Sequence, residues 1–204
     1  MSTWGSAEGD KSFKDAIKAI EDNSSVEVVV AVRAHARLWL AQHVVVGVIA
    51  MLGTLIYAEL FDVEKWAAIA FPIGVGIISM LLVEYVPPLY RFLVPMWVRQ
   101  EHTTEAARAL FVTKGVHATR DRTGMLVFVA VRARCVEIVG DVAIVEGLTQ
   151  TRIDHMQQAM RAAIPQGPAA VGRTLANFAP ELHDVFKRSA DDVNELADEP
   201  ISVK

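Results

Sequence analysis

The chain of 204 residues is 52% hydrophobic and carries a formal net charge of −4, with an isoelectric point near 5.9. No basic stripe stands out, so the composition excludes a general nucleic-acid binder. A single cysteine, Cys135, excludes internal disulfides and cysteine-rich metal sites.

Residues 1–22 are polar and amphipathic and hold no apolar core of a cleavable signal. Phe13, Ile17 and Ile20 recur at helical spacing, with Asp10 or Ser12 as the expected cap and Asn23-Ser24-Ser25 as the stop. Val26-Glu27-Val28-Val29-Val30-Ala31-Val32 then reads as a strand buried on both faces, because its apolar residues do not alternate with polar ones.

Two apolar runs follow, Leu38 to Ala58 and Trp66 to Val83, without Asp, Glu, Lys or Arg. Each has about the length that crosses the roughly 30 Å hydrocarbon core as a helix. Only residues 59–65 separate them, which predicts a tight antiparallel transmembrane hairpin with spans at about 38–60 and 66–86 and both chain ends on one side. The first span is expected to serve as its own insertion signal. Gly47, Gly53, Gly74, Gly76 and Pro72 suit a helix in lipid better than one in a soluble core. Arg33 and Arg37 precede the first span and Arg91 and Arg99 follow the second, whereas the loop offers only Lys65 beside Asp62 and Glu64. The positive-inside bias therefore predicts cytoplasmic termini and a cytoplasmic soluble part at the cell membrane. Trp39, Trp66, Tyr85, Tyr90 and Trp97 fall near the expected interfaces. With the turn centred near Val63, residues whose numbers sum to about 126 share a depth. His43 and Glu84 meet that condition and are expected to form an intramembrane polar pair.

After Pro95 a helix is predicted through Ala106, Ala107, Leu110 and Phe111 to Lys114, stopped by Gly115. Met125 to Val131 and Cys135 to Val139 read as strands, and the short Arg132-Ala133-Arg134 link makes them an antiparallel hairpin. Ile153, Met156, Met160 and Ile164 stripe a helix ended by Pro165-Gln166-Gly167-Pro168. Val171, Leu175, Phe178, Leu182 and Phe186 stripe another, with a kink expected at Pro180. Residues 189–204 form an acidic tail expected to be solvated. The predicted organisation is a helix and first strand in 1–37, the hairpin in 38–94, the remainder of the domain in 95–188, and the tail. The fold class is α/β: a three-layer α/β/α sandwich, helices on both faces of a small mixed sheet, with the two-helix transmembrane hairpin inserted.

Ser24 to Val32, preceded by an amphipathic helix, resembles the opening of the TPM domain. A stronger resemblance lies in Thr123-Gly124-Met125-Leu126-Val127-Phe128-Val129 running into Arg134-Cys135-Val136-Glu137-Ile138-Val139-Gly140-Asp141-Val142-Ala143-Ile144. A Gly-led strand, a basic turn, a Val-Glu-Ile strand and an acidic residue before an Ile is that family's shape. Asp191-Asp192-Val193-Asn194-Glu195-Leu196 is similar to the tail of its short bacterial membrane-anchored members. The likeness covers about residues 12–37 and 99–198, and it departs where Ala143 replaces a frequent Gly and where an aromatic near Ile153 is missing. It implies an α/β/α sandwich in a bacterial inner membrane. It also implies two functions, since some members are described as acid phosphatases or calcium binders and others as assembly or accessory factors.

Asp141 is the foremost candidate for chemistry, because it follows a strand through Gly140 and ligands of open α/β sheets gather beyond carboxyl ends of strands. A carboxylate there would bind calcium or another hard divalent cation, with Asp121 as a second metal candidate. Arg120 and Arg122 in the same polar loop would hold phosphate. The competing reading makes Asp141 a turn residue bonded to backbone N–H groups. Glu137 is expected to be exposed or paired, and His117, Asp154 and His155 have no metal-defining spacing. The sequence contains no Gly-rich phosphate loop, nucleophile elbow or HExxH motif. An accessory or assembly factor that binds a membrane-protein partner is therefore the first expectation. A divalent-metal-dependent phosphatase is the alternative, and a subunit of a homo-oligomeric channel or transporter the third reading.

Overall fold

Ser6 starts the first helix, α1 (Ala7–Glu21), its Oγ accepting the Gly9 N–H at 3.2 Å. The helix thus begins earlier than a cap at Asp10 or Ser12 would set it, since the Ser6 hydroxyl already satisfies one of the open N–H groups of the first turn. The structure, a computed structural model, describes residues 4, 6–34, 40–61, 63–188, 195–196 and 200–203. Of Leu40, Ala41, Gln42, Glu84, Pro87, Leu89, Ser202 and Val203 it describes the backbone alone. Arg37, Leu38, Trp39, Asp62 and the acidic pair Asp191 and Asp192 lie outside the described residues.

In chain order α1 is followed by β1 (Glu27–Arg33), α2 (Leu40–Leu60), α3 (Lys65–Tyr85), α4 (Pro87–Leu93) and α5 (Met96–Thr113). Then come β2 (Gly124–Ala130), β3 (Cys135–Gly140), α6 (Val142–Gly147), α7 (Gln150–Ala163), α8 (Pro168–Ala176), α9 (Ala179–Val185) and β4 (Ile201–Val203). The class is mixed α/β. The chain divides into two compact units, Met1–Ala36 with Arg99–Lys204, and Arg37–Val98.

In the first unit the described strands form one sheet in the order β3-β2-β1-β4. β1 runs parallel to β2, with Glu27 opposite Gly124 and Arg33 opposite Ala130, while β3 runs antiparallel to β2. A parallel pair needs a crossover connection. Here that connection is residues 34–123, and the apolar helices are inserted within it.

Burial of β1 and β2 does not alternate, as the sequence predicts for β1. Val28, Val30, Met125, Val127, Val136 and Ile138 share a core with α1 (Phe13, Ile17, Ile20), α7 (Met156, Met160) and α8 (Val171, Leu175). Leu126, Phe128 and Cys135, of the opposite parity, are equally buried. On that side Gln100 of α5 donates from Nε2 to Glu137 Oε2 at 2.7 Å. Truncating the fully buried Phe128 to Ala would cost about 3–5 kcal/mol.

Gly115 ends the α5 segment in the left-handed region, φ 67°, the stop expected there. Three local features differ from the sequence reading. The kink expected at Pro180 is instead a break at Asn177 and Phe178, with Pro180 in the first turn of α9, where its missing N–H costs nothing. Val142 to Gly147 forms a short helix where the sequence reading named no element. Within the segment read as a solvated tail, Ile201–Val203 pairs in parallel with Ala31–Arg33 as an edge strand.

In the second unit α2 and α3 are each 21 residues long and are long and apolar enough to cross a membrane. They meet at Gly47 and Gly76. A Cβ added to Gly76 would lie 3.1 Å from the Gly47 carbonyl oxygen and 3.2 Å from Met51 Cβ.

Candidate functional site

Because β3 is antiparallel to β2, its last residue, Gly140, sits opposite Met125 near the amino ends of β1 and β2. Asp141 therefore leaves the sheet at the amino end of the parallel pair. That corrects its expected place beyond carboxyl ends, where ligands of such sheets gather.

Asp141 is 5% exposed. It caps α6: Oδ1 accepts the Val142 N–H at 2.8 Å, and the Asp141 N–H donates to the Gly124 carbonyl at 2.8 Å. Its Oδ2 lies 3.1 Å from Arg122 Nε. Arg122 adopts φ 59°, donates from Nη1 to the His117 carbonyl at 3.1 Å, and accepts the Ala143 N–H on its own carbonyl. Gly124 leaves room for this lacing, since any Cβ there would collide with the Val116 carbonyl. The structure thus brings together one metal candidate and one phosphate candidate, and pairs them with each other.

Arg120 and Asp121 are exposed in the same loop. The Arg120 N–H donates to Glu195 Oε2 at 2.9 Å, and Glu27 Oε2 accepts the N–H groups of Glu195 and Leu196 at 3.4 and 3.2 Å. Glu195 and Leu196 are thereby fastened across the amino end of β1. Calcium takes six to eight oxygens. Among the described residues no group of three or more His, Cys, Asp or Glu is arranged to hold a metal ion. His117 packs against Phe111, and His155 meets Phe178 edge-on. Asp154 accepts from Gln150 at 2.9 Å. His43 lies on α2, and the side chain of Glu84 is outside what the structure describes.

A second polar cluster lies under α5 and centres on Glu137. Burial pushes its carboxyl above 4.5, while hydrogen bonds from Thr104 and Gln100 and the charge of Arg108 oppose that rise. Glu137 is thus paired, as one arm of the sequence expectation had it, but half-buried rather than exposed. Its signal in the sequence was a lone carboxylate inside an apolar strand. Burial also raises the Cys135 thiol, against the opposing charge of Arg99, which makes it an inert buried sulfur.

No protein-family model and no curated protein matches this chain. Among solved structures, it is similar to the NMR structure of the BA42 protein from the psychrophilic bacterium Bizionia argentinensis. The two share 17% identity with a TM-score of 0.60 over 100% of each chain. At that identity the likeness is one of fold alone.

Proposed function

We propose that this is an integral membrane protein whose α2–α3 hairpin crosses a bilayer and anchors a TPM-like three-layer α/β/α sandwich on the cytoplasmic face. There it serves as an accessory or assembly factor that binds a membrane-protein partner. The observation that carries the reading is the outer surface of the hairpin. Ile49, Ile56, Ile69 and Phe71 are 64%, 61%, 69% and 66% exposed. A helix that is apolar all round belongs in a buried core or in lipid, and these side chains are not buried. Sheet residues of both parities are buried, which supports layers on both faces. The accessory role is favoured over a phosphatase because Asp141 Oδ1 caps α6 and Oδ2, which accepts no hydrogen bond, already faces the charge of Arg122.

The test uses the full chain in bacterial membranes. Washing with alkaline carbonate should leave it in the pellet, and protease should reach a C-terminal tag only from the cytoplasmic side. A photo-crosslinker at Ile49 should trap one discrete membrane-protein partner. Release by carbonate would overturn the anchor. Calcium-dependent hydrolysis of an aryl phosphate, lost in Asp141→Asn, would replace the accessory role with the enzyme.

A further inference from the structure

We propose that the carboxyl end of the β1–β2 pair is an arginine rim that binds the phosphate headgroups of anionic lipids. Three segments far apart in sequence meet there. The Arg33 carbonyl at the end of β1 accepts the Val131 N–H at 3.0 Å, and the Ala34 carbonyl accepts the Arg132 N–H at 3.1 Å. Arg132 and Arg134 frame the turn into β3. Arg99, near the start of α5, donates from its guanidinium to the Ala133 carbonyl within that turn. Residues 30–36, 95–100 and 130–136 contain no Asp or Glu, and Glu137, which follows directly, is half-buried and accepts from Gln100.

Two details suit phosphate rather than mere solvation. Guanidinium groups present a planar fork that takes phosphate oxygens in pairs. Arg33 is steadied over the Phe128 ring at 5.7 Å, which leaves less side-chain freedom to lose on binding. Arg134 is exposed and holds φ 51°, a conformation that Gly or Asn would adopt with less strain.

Chain connectivity selects lipid as the source of the phosphate, and this step rests on the membrane reading above. The first unit breaks off after Ala36 and resumes at Arg99, so both breaks lie within a few residues, along the chain, of rim arginines. Six residues separate Arg33 from Leu40, at most about 25 Å of extended chain. Basic groups tethered that close to an anionic bilayer are drawn to its surface.

The experiment offers phosphatidylglycerol and phosphatidylcholine at equal concentration to the full chain in mild detergent and reads lipid adducts by native mass spectrometry. Phosphatidylglycerol should be preferred by about tenfold, and the R132Q/R134Q variant should lose most of that preference. Arg134→Gln alone, at an exposed position, repeats the test should the double variant unfold, and R132K/R134K should retain a part set by charge alone. Equal binding of both lipids, or an undiminished preference in R132Q/R134Q and Arg134→Gln, overturns the proposal. Displacement of phosphatidylglycerol by millimolar inorganic phosphate would assign the rim to a free anion and overturn the lipid source. Carbonate washing of membranes separates the two failures. Release of the chain would mean that the anchor reading failed, whereas retention without lipid preference would mean that the rim alone did.

Discussion

Gly47 and Gly76 bring α2 and α3 into backbone contact: a Cβ on Gly47 would lie 2.9 Å from the Gly76 carbonyl oxygen and would overlap Met80 Cγ. Gly53 and Gly74, on the same helices, have nothing within 4 Å of such an atom. Close approach of this kind is how helices pack in lipid, where burying apolar surface yields little. Gly47→Leu should therefore spread the hairpin and lower the thermal midpoint of the full chain in detergent, while Gly53→Leu leaves it unchanged. Equal effects of the two would mean that the glycines are tolerated by lipid rather than required by packing.

The same contacts fix the register. Gly47 faces Met80 and Gly76 faces Met51, pairs that extend by about one and two helical turns respectively to positions 43 and 84. Cysteines placed there, with Cys135→Ser to remove the native thiol, should form a disulfide on mild oxidation. Cysteines at 43 and 77 should not, since about two turns of α3 separate position 77 from 84. A bond at 43–77 and none at 43–84 would refute the predicted His43–Glu84 level.

The sequence reveals the hairpin and the strand parity because both are written in runs of residue type. Val26 to Val32 carries enough unbroken apolar character to read as a doubly buried strand, and Met125 to Val131 enough to read as a strand. The amino-end position of Asp141 was also implicit, since the short Arg132-Ala133-Arg134 link requires an antiparallel β3. What stayed illegible depends on tertiary contact. Ile201 to Val203 is too short to signal a strand and forms one by pairing with Ala31–Arg33. The pairing of Arg122 with Asp141 and that of Gln100 with Glu137 join residues that no local spacing relates.

Asp141 is expected to act through structure. Asp141→Ala loses the α6 cap as well as the ion pair and should cost about 1–2 kcal/mol in thermal unfolding. Asp141→Asn keeps a side chain that caps well and should cost less. A double-mutant cycle with Arg122→Gln should give a coupling of about 1 kcal/mol or below, because Arg122 is half exposed. Added calcium should leave the midpoint of the wild type unchanged. A calcium-dependent rise that Asp141→Asn abolishes would restore the metal site.

Glu137 should make stability fall as pH rises. Its carboxyl titrates higher in the folded chain than the ordinary 4.5, chiefly through burial. The folded state thus holds the proton more tightly than the unfolded chain does. That contribution is fully present below 4.5 and is lost as pH rises through the folded value. Glu137→Gln, which can still accept from Gln100, removes the buried charge and the slope with it. Thermal unfolding of the full chain from pH 4.5 to neutral should therefore open a gap in favour of the variant, while Glu101→Gln on the exposed side of α5 tracks the wild type. Were the gap to open the other way, the hydrogen bonds from Gln100 and Thr104 and the charge of Arg108 would outweigh burial, and Glu137 would be a stabilising carboxylate.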